Sequence, residues 1–346
     1  MTGTTMAEPA ELTGAGNRDH NHAPLLGSPE PGNRGHSPTP RPGSPEPDGT
    51  FTGEQLLEIP ERYAPKYLSP SSASSYRECA RRWKFRYVDR LPDPPGEAAV
   101  TGTFAHMVLE RLMQEPVEER TVPRAKELAR ELWPRMENHP DYRGLELDER
   151  GGLNFRINGW KAIEGLWDLE DPREVKVAAT EQDVRVKING VPFRGIIDRV
   201  DDTGDGLVVT DYKSGKAPSE RFSSNYATQM LLYAAALTEL ENRRPARAQL
   251  LYLGQKVVEV EITDENLTEA LEELRVTWLN IMNSCITLEF PASTGPLCGW
   301  CPFVAQCPEG TDEVLHRDRT GQLRADAPAL ERIARAGNPS PDSHSN

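Results

Sequence analysis

Gly195-Ile196-Ile197-Asp198-Arg199 closes one apolar run, and thirteen residues after Asp198 a second apolar run closes in Asp211-Tyr212-Lys213. Both runs, Val191 to Ile197 and Leu207 to Val209, read as strands. Side chains two apart share a face of an extended strand. Asp211 and Lys213 therefore point one way and Tyr212 points into the opposite layer. A turn at Thr203-Gly204-Asp205-Gly206 would bring Asp198 beside Asp211. Paired carboxylates hold a hard divalent cation, and a lysine alongside suits hydrolysis of a phosphodiester.

The surrounding pattern frames these strands. Asp183 to Ile188 alternates polar and apolar, and Asn189-Gly190 then signals a hairpin. A helix from about Ser223 to Leu240 places Gln229 and Tyr233 one turn apart. Gln249 to Leu253 and Val257 to Ile262 form a second hairpin around Gly254-Gln255, and Asp264 caps a last long helix to about Asn283. Upstream, Ser69-Pro70-Ser71-Ser72 offers caps for a helix starting near Ser72. Its apolar stripe is Tyr76, Ala80, Trp83 and Tyr87. A second helix covers Thr103 to Gln114, with His106 and Glu110 one turn apart. Residues 123 to 170 read as helical, interrupted at Pro134, Pro140 and Gly151-Gly152. Strands, a helix and further strands predict an α/β fold with a mixed central sheet flanked by helices and an added helical portion.

Composition sets the boundaries. The first 50 residues hold nine prolines and eight glycines but no aromatic residue, valine or isoleucine. Such a segment cannot bury enough apolar surface to offset the entropy of ordering it, so residues 1–55 are expected to be a disordered tail. Residues 62–310 form the expected domain. Residues 311–346 are expected to be mostly disordered, with a short helix at Ala327 to Ala336. The net charge of −14 opposes a nucleic-acid partner in sum. Its distribution does not: Arg62 to Arg90 holds eight Lys/Arg against two Asp/Glu. Arg77, Arg81, Arg82, Lys84 and Arg86 are the candidate phosphate-binding face, the alternative being a solvated helix face. No run approaches 18 apolar residues and no leader pattern opens the chain, so a cytoplasmic protein without a membrane partner is expected.

Four ordered motifs carry a family resemblance. Gly102-Thr103-Phe104-Ala105-His106, Gly195 to Arg199, Asp211-Tyr212-Lys213-Ser214-Gly215 and Gln229-Met230-Leu231-Leu232-Tyr233 resemble those of the PD-(D/E)XK nuclease superfamily, in its RecB-like exonuclease branch. The resemblance implies a restriction-endonuclease-like core. It implies Asp198, Asp211 and Lys213 as catalytic residues. It also implies a Mg²⁺ or Mn²⁺ site built from His106, Asp198, Asp211 and the Tyr212 carbonyl. Gln229 would hold a phosphate or water, and Tyr233 would hydrogen-bond, stack on a base or fill the core. Glu181 falls where the family often has an acid, or is simply an exposed strand end.

Cys298-Gly299-Trp300-Cys301, with Cys307 after it and Cys79 far upstream, matches the one-plus-three cysteine pattern of AddB-type iron–sulfur nucleases. Four thiolates suit a 4Fe-4S cluster or tetrahedral zinc. A C-terminal iron–sulfur clasp is the expectation, and Cys285 is expected to be a buried apolar residue. The functional expectation is a metal-dependent DNA nuclease, an exonuclease acting in recombination or repair on single strands or duplex ends. A separate helicase would be its partner, since no G-x-x-x-x-G-K-[ST] occurs. The alternatives are a non-catalytic DNA-binding or assembly module on a nuclease fold, or an enzyme acting on RNA or a nucleotide.

Overall fold

The computed structural model describes Ile59, residues 63–217 and residues 224–337. The tail expected at residues 1–55 lies outside the described residues. No helix among them is long and apolar enough to cross a membrane.

Five strands form one sheet in sequence order: β1 (Val177–Ile188), β2 (Val191–Thr203), β3 (Gly206–Lys213), β4 (Arg247–Tyr252) and β5 (Lys256–Val260). The Asn189-Gly190 turn makes β1 and β2 an antiparallel hairpin, and β3 pairs antiparallel with β2. β4 runs parallel to β3 and antiparallel to β5. A parallel step requires a crossover, and the helix Ser224–Glu241 supplies it. β3 is the central strand, buried from Gly206 to Tyr212.

Helices precede and follow this sheet. In chain order they are α1 (Pro70–Glu78), α2 (Ala80–Trp83), α3 (Glu97–Met113), α4 (Val122–Glu137), α5 (Pro140–Arg143), α6 (Glu149–Glu164), α7 (Ser224–Glu241), α8 (Asp264–Thr287), α9 (Pro308–Arg319) and α10 (Ala329–Gly337). One sheet face packs Ile197, Val209 and Leu250 against Met230 and Leu237 of α7, Leu274 and Ile281 of α8, and Trp83. The other packs Tyr212, Leu251 and Leu253 against Phe104, Val108 and Leu112 of α3 and Phe155 of α6.

Several local expectations are corrected. The basic segment is not one helix. Cys79 is extended (φ −165°, ψ 111°) between α1 and α2, and a π turn, Lys84–Val88, follows. α1 starts earlier than expected, capped by Ser69, whose hydroxyl accepts the Ser72 N–H. Thr263, not Asp264, caps α8. α4 continues through Pro134 and α6 through Gly151-Gly152, because each buries an apolar side against its neighbours that outweighs local propensity. Residues 311–337 also depart from the expected tail. α9 and α10 pack Val314 and Ala329 on Val304, with Leu323 and Ile333 around them, as a small satellite core beside Cys298 and Cys301. The short helix expected at Ala327 to Ala336 is α10.

Candidate active site

β2 and β3 pair from Thr203 and Gly206 up to Arg199 and Thr210, and beyond that rung they part. β2 stays with β1 and β3 stays with β4. The gap opens between Asp198 and Asp211. Asp198 closes it with its side chain: Oδ2 accepts the Tyr212 N–H at 2.8 Å, replacing a lost ladder bond. Lys213 Nζ lies 2.7 Å from Asp211 Oδ2. These three expected residues are thus brought together at the ends of adjacent strands.

His106 enters from α3 in the opposite layer. Its Nε2 is 2.9 Å from the Tyr212 carbonyl oxygen and its Nδ1 is 3.4 Å from Asp198 Oδ2. From α7, Gln229 Nε2 donates to Asp211 Oδ1 at 3.0 Å and to Tyr233 Oη at 3.1 Å. Tyr233 is buried and belongs to the core, so it meets the site through Gln229. Two motif glycines permit close approaches. A Cβ on Gly195 would stand 2.6 Å from Tyr233 Cε1, and one on Gly102 would stand 2.8 Å from Ser214 Oγ.

Sequence reasoning left Glu181 undecided between the site and an exposed strand end. It lies across from Asp198, between the pairs Thr180–Arg199 and Gln182–Ile197. Its φ is +46°, a left-handed conformation unusual for a non-glycine residue within a strand. Donor atoms of His106, Glu181 and Asp198 lie within 4.8 Å of one another. Tyr226 was missed altogether. It sits on α7 at i−3 from Gln229, a spacing visible in the sequence, and Lys213 Nζ lies 5.2 Å from its ring centroid.

The electrostatics are those of clustered acids short of a cation. Burial, then the Asp198 charge, lifts the Asp211 carboxyl to about 6 against the pull of Lys213. Burial, then Asp198 and Glu110, lifts Glu181 to about 7. Burial opposes charge on His106, but the hydrogen bond and charge of Asp198, with Asp211 and Glu181, prevail and raise it to about 9. A protonated imidazole therefore bridges Asp198 and the Tyr212 carbonyl. Asp211 Oδ2 is buried, and among the described residues its partner is the Lys213 ammonium at 2.7 Å. Carboxylates, one carbonyl and one imidazole gathered this closely fit a divalent cation of the Mg²⁺ or Mn²⁺ type.

The profile of the PD-(D/E)XK nuclease superfamily matches residues 67–308. The chain belongs to this superfamily. Among solved structures it is similar to a candidate exonuclease from Eubacterium rectale at 12% sequence identity, with 70% of this chain and 89% of that one covered and a TM-score of 0.44. No curated protein matches it. The matched span of the superfamily takes in α1 to α8, the whole sheet and all four cysteines of the one-plus-three pattern.

Beneath the site lies a buried ion network. Arg199 has no exposed surface. Its Nη1 and Nη2 donate to the two Glu170 oxygens at 2.5 and 3.0 Å, its Nε lies 2.8 and 3.1 Å from the Asp201 oxygens, and Nη1 donates to Tyr212 Oη at 2.7 Å. It fixes the residue whose carbonyl faces His106.

The basic segment does not present a free cationic face. Arg77 pairs with Glu273 (2.9 Å), Arg81 with Glu309 (3.3 Å), Arg82 with Glu78 (2.9 Å), Lys84 with Asp89 (2.5 Å) and Arg86 with Asp93 (3.3 Å). Sequence spacing shows the cations but not the acids brought in by α8, α9 and the loop before α3. Cys285 is buried, its thiol donating to the Tyr63 carbonyl at 3.0 Å. The Cys79 sulfur accepts the Ser293 N–H at 3.4 Å, and Arg81 Nε donates to the Phe290 carbonyl at 2.7 Å. The segment around α2 therefore meets the C-terminal cysteine region directly.

Proposed function

We propose that this chain is a metal-dependent nuclease that hydrolyses phosphodiester bonds in DNA, as an exonuclease in recombination or repair. One observation carries the reading: Asp198, Asp211, Lys213 and His106 converge where β2 and β3 part. Asp198, Asp211, His106 and the Tyr212 carbonyl, with Glu181 beside them, would hold Mg²⁺ or Mn²⁺. When bound, such a cation supplies Lewis-acid activation of water and of the phosphate oxygens.

The chain's own groups account for the rest. Lys213 carries donors that can orient the attacking water and offset charge developing on the phosphate, and Asp211 at 2.7 Å holds its ammonium in place. Gln229 holds Asp211 through Oδ1 while Lys213 holds Oδ2, so the carboxylate is fixed from both sides. Water oxygen bonds to phosphorus as the bridging P–O bond breaks, leaving a phosphate on one product and a hydroxyl on the other.

The test is cleavage of end-labelled single- and double-stranded DNA, matched RNA and mononucleotides, with Mg²⁺ or Mn²⁺ and with chelator. The expected result is metal-dependent release of short products from DNA ends and none from covalently closed circles. No metal-dependent cleavage of DNA would overturn the reading and favour an assembly module. Cleavage of RNA alone would move the substrate.

We also propose a 4Fe-4S cluster on Cys79, Cys298, Cys301 and Cys307. The break at Cys79 frees its thiol from the helix, and Cys298 and Cys301 flank a tight turn, Pro296–Trp300. Burial, with the nearby Cys298 and Cys79, raises the Cys301 thiol above its ordinary value. Tetrahedral zinc at ~2.3 Å per bond would hold its sulfurs roughly 3.8 Å apart. Four thiolates suit either group, and the iron and sulfide content of the protein tells them apart. Anaerobically purified protein should contain iron and sulfide, and Cys79→Ala should lose both along with stability, while Cys285→Ala keeps the metal. Zinc alone in that preparation would replace the cluster.

A further inference from the structure

Two more clefts open off the catalytic pocket, each sharing residues with the one before it. Ile196 and Tyr226 border the catalytic pocket beside Asp198 and Lys213. The same two residues line a second cleft, which passes Gln229 and reaches Arg194, Tyr67 and the start of α1. Tyr67, Ser69 and Ser71 in turn line a third, which ends at Tyr87, Lys66 and Arg90. The three clefts share walls in an order that runs from the paired carboxylates to Lys66 and Arg90.

The lining changes along this path in a way that suits one kind of ligand. Near the site stand apolar and aromatic faces turned to solvent: Ile196 is 44%, Tyr226 37% and Tyr67 44% exposed. Tyr67 is held rather than loose. Arg194 donates to its Oη at 3.2 Å, and the guanidinium lies 5.4 Å from its ring centroid. Asp183 fixes that arginine in turn. Hydroxyls of Ser69 and Ser71 follow. At the far end are Lys66 and Arg90, both exposed, and no carboxylate among the described residues pairs with either. The five cations of the basic segment are, by contrast, all paired.

We propose that a single strand of nucleic acid occupies this path, its bases stacking on Tyr226 and Tyr67 and its phosphates reaching Lys66 and Arg90. The proposal rests on the nuclease reading of the adjoining site. Exposed aromatic faces bind bases whose own faces are bare, as in a single strand, whereas a duplex keeps them inside its stack. Unpaired cations at the end of the track release counterions from phosphates, which cations already neutralised by carboxylates do less well. Tyr67 is therefore a platform set in advance, and the strand crosses Ile196 before its phosphate enters between Asp198 and Lys213.

The test is fluorescence anisotropy with labelled oligothymidylates of about 5 and about 15 nucleotides, metal-free so that nothing is cut, across a salt series. Tyr67→Ala should weaken the longer oligonucleotide about tenfold and the shorter one much less, while Tyr67→Phe binds as the parent does. Lys66→Glu with Arg90→Glu should flatten the log–log salt slope by at least about 1.4, the value for two lost phosphate contacts on a single strand. Arg82→Glu with Arg86→Glu should leave binding nearly unchanged. Protein that cleaves DNA but binds both oligonucleotides alike after the Tyr67, Lys66 and Arg90 changes would overturn the track and leave the nuclease standing. Loss of binding on reversing Arg82 and Arg86 instead would place the strand on the basic segment. Parent protein that neither binds nor cuts would overturn both readings.

Discussion

Replacing Arg199 with methionine should destabilise the protein more than any single change at the surface. The guanidinium is fully buried and meets Glu170, Asp201 and the Tyr212 hydroxyl. Methionine fills most of the volume, so little of the cost comes from a cavity. What is lost is the partner of two carboxylates, with side chains 17% and 8% exposed. Burial already raises the Asp201 carboxyl above its ordinary value with Arg199 in place. Breaking a buried ion pair by removing one member typically costs about 3–5 kcal/mol, because a charge is left without compensation. For a domain of roughly this size, each kcal/mol lowers Tm by about 2–4 °C, so the expected drop is roughly 6–20 °C.

Urea unfolding and calorimetry at neutral pH read that loss directly. A second variant isolates its origin. Adding Glu170→Gln and Asp201→Asn to Arg199→Met removes the stranded charges and should recover much of the stability, since an apolar or neutral replacement of a whole buried ionic group is often tolerated. A loss under about 1 kcal/mol for Arg199→Met, or no recovery in the triple variant, would refute the argument that this network is held by charge compensation. Because Arg199 also holds the Tyr212 ring, the single variant should bind Mn²⁺ more weakly even below its melting temperature.

Other consequences follow from the same geometry. Asp211→Ala or Lys213→Ala should lower the rate of DNA cleavage by about 10²–10³-fold or more while circular dichroism and Tm stay near the parent's; cleavage at the parent rate would remove the site assignment. Gly195→Ala drives a methyl to 2.6 Å from Tyr233 and should cost about 1–3 kcal/mol while displacing Gln229 from Asp211, and Gly195→Ala with Tyr233→Leu should regain stability but not activity. Metal-free protein should become less stable as pH rises from about 4.5 to about 9. Glu181, Asp211 and His106 all hold protons more tightly folded than unfolded, so the native state binds more protons across that window. Mn²⁺ should raise Tm more at pH 8 than at pH 5, because it binds the deprotonated ligands; the opposite trend in a melting series would contradict the charge assignment.

Much of this was written in the sequence, and what was not follows a physical pattern. The β1–β2 turn, the β2–β3 connection and the Asp198, Asp211 and Lys213 cluster are local features, set by alternation and turn residues. Gln229 was legible because a helix puts residues four apart on one face. Tyr226, three residues before it, follows the same rule and was missed because it meets the Lys213 ammonium only in the folded chain. The basic segment misled for the converse reason. Two of its acids lie far away in sequence: Glu273 on α8 and Glu309 on α9 reach Arg77 and Arg81 only in the folded chain. α9 was also hidden, since a short polar helix gains its stability from Val304 and its neighbours rather than from its own sequence.

The same distinction explains why Glu181 stands in a strained conformation. A strand residue facing Asp198 would ordinarily continue the pleat and carry its carboxylate away from a like charge. Here the backbone turns left-handed at +46° and brings the acid to the donor cluster instead. Such a conformation costs on the order of 1–3 kcal/mol, and repulsion from Asp198 and Glu110 adds to it. Neither cost is recovered by a side-chain hydrogen bond from Glu181 to the described residues. The protonated His106 offsets part of the repulsion, and it does so by holding the same Asp198 oxygen and Tyr212 carbonyl that a divalent cation would use. The strain at Glu181 and the raised proton affinity of His106 are thus two responses to one excess of negative charge. Both are relieved by a cation at that point, which is why metal affinity and the pH dependence of stability should change together in Glu181→Gln.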